Sequence, residues 1–295
     1  MATAQRGELV DYGGRHNLDL LIQDVSKLVS LPDVYYRLES LIESPDSSMA
    51  DFANLLSTEP DLCARLLSLA NSAFYSFPAS IESIGKAVQI IGIRQIRELV
   101  LATSVLKSFS QVPLGMVNMQ LFWEHSVAVG VFAKSIAQYC KLSHTERFYV
   151  SGLLHDLGRL IFYLKLPGVM HDLLIQREAR EEVLFKLEQQ TLGYTHAEAG
   201  GQLLKNWRVP DSIYQPVMDH HSVDMSSDFI QVTAAVHIAD VWVNNHHLGS
   251  SGERFELSLS PLSLEALSLQ AYELDEIWAL TRDDINSVIK QFLLQ

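Results

Sequence analysis

Seven side chains in this sequence combine a type that ligates metals or moves protons with an apolar setting: His125, His155, Asp156, His196, His220, His221 and Asp240. Each falls where the apolar pattern predicts an inward-facing position. His125 shares a helix with Val129, Phe132 and Ile136, and His155-Asp156 follows Gly152-Leu-Leu154 just before Gly158. His196 takes the first position of a capped helix, and His220-His221 ends a helix that begins near Asp211. Asp240 lies on the inner face of a helix with Val236 and Trp242. A buried carboxylate is costly unless it is paired or coordinated. Imidazole and carboxylate together suit iron, manganese, zinc or a similar divalent ion. A carboxylate shared by two ions gives the arrangement that clamps a phosphoryl group. Singly, each residue has a plainer reading, since a lone histidine on an apolar face is usually a hydrogen-bonded core residue. The pair His246-His247 reads as surface. Five helices aiming His or Asp at one interior favour the ligand reading.

Apolar residues recur at helical spacing almost throughout, and strict alternation is rare, so an all-α fold with no sheet is expected. Pro32 opens one helix, with Leu38, Leu41 and Ile42 on its apolar stripe. The pairs Ser48/Asp51, Thr58/Asp61, Ser143/Glu146 and Thr195/Glu198 have capping-box spacing ahead of apolar runs. Residues 1–16 read as a flexible tail. Residues 17–115 form a first helical group, ending at a joint in Gln111-Val-Pro-Leu-Gly115, and 116–245 form a second group that holds the His/Asp set. Residues 246–295 read as a linker, around His247-Leu-Gly-Ser-Ser-Gly252, followed by a helical extension from Pro261. The segment from Ile84 through Gly92 to Val105 could pass for a DNA-reading helix pair with Lys86, Arg94 and Arg97 as its bases. The favoured reading is a core hairpin ended by Gly92.

The charge balance points the same way. With 35 acids against 22 bases the chain carries a net −13. That disfavours general binding to nucleic acid or to anionic membranes, both of which need clustered bases. Cys63 and Cys140 are too few for a disulfide framework, and both read as small apolar residues. No run of about 18 apolar residues suggests a membrane span, and MATAQRGELVDYGGRHN lacks the apolar core of a signal peptide. The expected compartment is the cytoplasm.

The order His125, His155-Asp156, Asp240 resembles the metal signature of the HD phosphohydrolase superfamily, and His196 and His220-His221 resemble the added ligands of its binuclear members. The wider sequence resembles the bacterial-type HDOD (HD-related output domain) family. The matching segments are Leu31-Pro-Asp33, Leu66-Leu-Ser-Leu-Ala-Asn-Ser72, Ile90-Ile-Gly92, Trp123-Glu-His-Ser126, Gly152-Leu-Leu-His-Asp-Leu-Gly158, His196-Ala-Glu-Ala-Gly200 and His237-Ile-Ala-Asp240. The resemblance implies a multi-helix bundle in two helical subdomains. It also implies one metal on His125, His155, Asp156 and Asp240, and a second on Asp156, His196, His220 and His221. Arg159 stands where hydrolytic relatives have a lysine that approaches substrate phosphate, so Asp156 and Arg159 are the candidate catalytic residues. No Gly-Tyr-Pro follows His221, where Ser222-Val-Asp-Met225 stands instead, and this argues against cyclic-di-GMP hydrolysis.

Three functions compete. The favoured one is a signal-transduction module with one or two divalent ions, acting on a signalling partner or a small phosphate-containing ligand. The alternative is a metal-dependent phosphohydrolase or phosphodiesterase. A metal-free interaction scaffold comes third, because all seven ligand-type residues are kept.

Overall fold

The computed structural model describes residues 15–71, 75, 80–109 and 117–293. Residues 1–14, the bulk of the expected tail, and the Gln111–Gly115 joint lie outside the described residues. Among the described residues there are helices and no strand. The first group comprises α1 (Arg15–Ser26), α2 (Asp33–Glu43), α3 (Met49–Ser57), α4 (Pro60–Ala70), α5 (Ile84–Ile91) and α6 (Ile93–Phe109). The second comprises α7 (Met119–Tyr139), α8 (Thr145–Leu154), α9 (Leu157–Lys165), α10 (Pro167–Arg180), α11 (Leu184–Leu192), α12 (His196–Asn206), α13 (Asp211–Asp219) and α14 (Ile230–Asn245). Two C-terminal helices follow, α15 (Pro261–Leu267) and α16 (Ala271–Leu293).

Two of the four expected capping boxes form. Ser48 and Asp51 cap α3 reciprocally, as do Thr195 and Glu198 at α12. The other two do not. Pro60 takes the first helical position of α4, which makes Glu59 the cap residue, and Thr58 turns its hydroxyl back to the Leu55 carbonyl. At α8 the cap position passes to His144 in a left-handed conformation (φ 55°), and Glu146 faces Lys134 on α7 instead, 3.8 Å away.

The α5–α6 pair is a core hairpin. Gly92, at φ 96°, ends α5, while Ile84, Ala87, Val88 and Ile96 are buried. Arg97 is turned toward Glu39 and Glu98, 3.7 and 3.6 Å away. The two cysteines are half-buried, and burial pushes both thiols up from their ordinary pKa.

Three segments are tied into the fold in ways the sequence pattern does not give. Helix α1 begins at Arg15, two residues inside the expected tail, and packs on α9 and α12 of the second group. The C-terminal extension is integral, because α16 lies along α7 and also meets α4. There Trp278 packs edge-on against Phe132 at 5.0 Å, and the Tyr139 hydroxyl donates to Glu273 at 3.0 Å. The stretch after α14 is no free linker, as described below. No described helix is long and apolar enough to cross a membrane.

Candidate metal centre

Two glycine crossings set the scaffold of the site. Gly130 of α7 meets Gly152 of α8 so closely that a Cβ on Gly152 would lie 2.8 Å from the Gly130 Cα. Gly158 of α9 meets Gly200 of α12, and a Cβ on Gly158 would run into the His196 carbonyl. The first crossing brings His125 on α7 beside His155 at the end of α8, ring centroids 5.3 Å apart. The second brings Asp156, the residue before α9, to His196 at the start of α12, with Nε2 to Oδ1 at 3.0 Å. His220 ends α13 and His221 follows it, while Asp240 comes from the middle of α14. All seven sequence-derived residues therefore converge, and only His221 among them is part-exposed.

Three of the imidazoles are oriented from behind. His155 Nδ1 donates to the Gly152 carbonyl and His220 Nδ1 to the Val217 carbonyl, both at 2.7 Å. His196 Nδ1 donates to Glu188 at 2.6 Å. With Nδ1 so engaged, each Nε2 points into the centre, the standard outer-shell device for a ligating histidine. His155 Nε2 lies 3.1 Å from Asp156 Oδ2 and 3.4 Å from Asp240 Oδ1. His125 Nε2 lies 3.3 Å from Asp240 Oδ1. On the other side His196 Nε2 is 3.2 Å from His221 Nε2.

Asp156 thus turns Oδ2 to one histidine group and Oδ1 to the other. Three sets of ligand atoms cluster within 4.8 Å: His125/His155/Asp240, His155/Asp156/His220 and His196/His220/His221. Nε2 of His125, His155 and His220 is buried without a hydrogen bond of good geometry. Separations near 3 Å are what donors sharing one ion at about 2.1 Å would show. The donor set fits one or two divalent ions.

Electrostatics follow from this crowding. Burial would raise Asp156 and Asp240, but the charges and hydrogen bonds around them win, chiefly Arg159 and His155 for the first and His125 and His155 for the second. Both carboxyls are held well below their ordinary range. Burial would lower His155, yet Asp156 and Asp240 push it up to about 10. Burial dominates at His220, with His155 and His196 adding to it, and lowers its pKa to about 3.

Arg159 faces this centre, but its guanidinium is committed. Nε sits 3.3 Å from Asp156 and 3.7 Å from Glu188, a second nitrogen lies 3.6 Å from Glu253, and a third donates to Ser251 Oγ at 2.8 Å. It is 2% exposed. The expected surface for substrate phosphate is therefore covered by the chain's own carboxylates.

Four supporting residues escaped the sequence reading. Glu188 occupies a stripe position with Leu184, Leu187 and Leu192, and that acid on an apolar face was a usable signal. Ser251 and Glu253 lie in a strap, residues 248–260, that reads as linker from composition. In fact the Ser250 N–H donates to the Leu121 carbonyl, Tyr163 donates to Ser251, and Glu253 accepts from the Leu184 N–H at 2.8 Å. The fourth is His237, whose Nδ1 donates to the His220 carbonyl while Nε2 accepts from the Ser260 N–H.

The profile of the HDOD domain matches residues 28–223. An HDOD domain protein of unknown function from Geobacter sulfurreducens superposes with a TM-score of 0.77 at 23% identity, covering 95% of this chain and 100% of that one. A candidate signal transduction protein from Marinobacter aquaeolei VT8 gives 0.69 at 18% identity, covering 96% of this chain and 67% of that one. An uncharacterised protein of Treponema pallidum (strain Nichols) is 25% identical over 203 residues, 68% of this chain. The chain spans 38% of the length of that curated relative. At these identities the solved structures speak to the fold, and they share it. With the family profile matched over well more than half its length, this chain belongs to the HDOD domain family.

Proposed function

We propose that this chain is an HDOD regulatory module whose His/Asp centre holds one or two divalent transition-metal ions and passes a binding signal to a partner, without turnover as its main task. The observation that supports it is Asp156, whose two oxygens face two separate histidine groups. Iron, manganese or zinc bound there would supply positive charge and a Lewis-acidic seat for a phosphate oxygen. The protein's own part is to hold Nε2 atoms inward through Gly152, Val217 and Glu188, and to keep both carboxylates ionised. The Marinobacter relative's name favours a signalling role, and so does the commitment of Arg159 to Glu188 and Glu253.

Metal analysis of protein purified without chelator or histidine tag tests the centre. Wild type is expected to carry metal, and His125→Ala and Asp156→Ala to carry less than half as much. A wild-type protein that neither contains metal nor melts higher when manganese, iron or zinc is added removes the reading. A panel of phosphomonoesters, cyclic nucleotides and nucleoside phosphates then separates signalling from hydrolysis. Turnover of about 1 s⁻¹ or more, abolished by Asp156→Ala, would make the phosphohydrolase reading the correct one.

A further inference from the structure

Of the seven centre residues only His221 is part-exposed, so its face is the one open to a ligand larger than an ion. Here α11 lays Phe185 flat on the His221 imidazole, with ring centroids 4.2 Å apart and 14° between planes. Two cavities, of about 500 Å³ and about 180 Å³, both meet this stack. Phe185, Lys186 and His221 line both. Phe185 thus belongs to the wall of both spaces, which together fall within the size range of an ordinary small-molecule site.

The charge at this mouth is specific. Lys186 is common to both cavities, and among the described residues no other Lys or Arg lines either. It is exposed, with Nζ 3.4 Å from Glu182 on the water-facing side of α11, a contact that water screens. The two carboxylates in the larger cavity are engaged elsewhere. Glu198 closes the α12 capping box with Thr195, and Asp219 accepts from Gln215 at 2.7 Å. Arg159, the residue the superfamily resemblance assigns to phosphate, is sealed among Asp156, Glu188 and Glu253. The same short helix turns Glu188 inward to His196 and is tied at its first residue by Glu253. Residues three positions or fewer apart on α11 therefore address the outer shell, the door and the mouth.

We propose that Lys186 is the phosphate-contacting residue of this protein and Phe185 its door. A phosphate ester approaches along α11, its phosphate drawn by the Lys186 ammonium, and Phe185 swings off His221 to join the two cavities. This rests on the metal centre proposed above.

The test uses the full chain loaded with manganese and inorganic phosphate as the probe, with binding read by calorimetry and metal content measured for each protein. Lys186→Ala is expected to weaken phosphate binding at least tenfold with manganese content unchanged, and Lys186→Arg to restore most of it. Lys205→Ala, on an exposed face of α12, serves as the control and should bind as wild type does. Phe185→Ala should surrender manganese to a chelator several-fold faster, a readout independent of any ligand. Phosphate affinity unchanged in Lys186→Ala, or absent from the loaded wild type, overturns the assignment of Lys186. An unchanged rate of metal loss in Phe185→Ala overturns the door. A wild type that takes up no metal overturns the centre itself, and this inference with it.

Discussion

At the scale of the residue, Asp156 carries the most. Its neighbours are arranged for a negative charge, so Asp156→Ala should leave His155, His196 and Arg159 facing one another. The expected result is lost metal and a lower melting temperature in metal-containing buffer. For scale, ligand at a hundredfold its dissociation constant stabilises a fold by about 2.7 kcal/mol. A mutant whose melting point still rises with added metal as wild type does would contradict the assignment.

His155 sets a pH dependence with a definite sign. Its pKa, pushed up to about 10 by Asp156 and Asp240, means that the metal-free centre holds a proton there at neutral pH. A metal must displace that proton, so metal affinity should rise with pH up to about 10. Metal-free protein should do the reverse. The stabilisation from protonated His155 is complete below the unfolded value, about 6.5, and is lost as pH rises toward 10. Calorimetry in buffers of different ionisation enthalpy counts the protons, and a metal affinity flat between pH 6 and 9 would refute the coupling. Residue types and apolar neighbours made all seven centre residues legible in the sequence. Two partners of Arg159 were not, because Ser251 and Glu253 sit in a stretch whose composition says only that it is not helical.

Elements place those residues, and glycine decides how closely. Where α9 crosses α12, Gly158→Ala would put a methyl group into the His196 carbonyl, a backbone atom that cannot rotate away. Overpacking of this kind costs about 1–3 kcal/mol. The shift should move His196 off Asp156 and weaken metal binding along with stability. Gly168→Ala, where nothing lies within 4 Å, is the matched control and should leave metal binding intact. Equal metal affinity in the two variants would show that the α9–α12 crossing does not position the site. Helices were the most legible level of the sequence, because apolar periodicity reports burial directly. Their starts were less so. The same S/T-x-x-D/E spacing caps α3 and α12, yet at α4 it yields to the fixed geometry of Pro60. At α8 Glu146 is drawn away by a lysine on another helix, which local spacing cannot reveal.

The whole molecule is knit by segments at its two ends. Helix α1 packs on α9 and α12, and α16 lies along α7. The strap ties α7, α9 and α11 to the region after α14. A fragment trimmed to residues 28–223, the span of the family match, lacks Asp240, Ser251 and Glu253. It is expected to bind an apolar dye and take up little metal, and cooperative melting with full metal uptake would disprove the dependence. Glu253→Ala is the gentler test. It leaves the buried Leu184 N–H without its acceptor and Arg159 short of one carboxylate, at a cost of about 1–3 kcal/mol. The strap and the docking of α1 and α16 are long-range pairings that no local pattern encodes.

The strap also introduces time. Arg159 and Ser251 are 92 residues apart in the chain, and a ribosome adds about 5–20 residues per second. For roughly 5–20 seconds of each synthesis the helices carrying His125, His155 and Asp156 exist while Arg159 has no strap to bind. The last of the centre's residues, Asp240, is made only 11 residues before Ser251, so the complete set stands without its strap for about 0.5–2 seconds. Exchange afterwards must wait for Phe185, or for the strap, to let go.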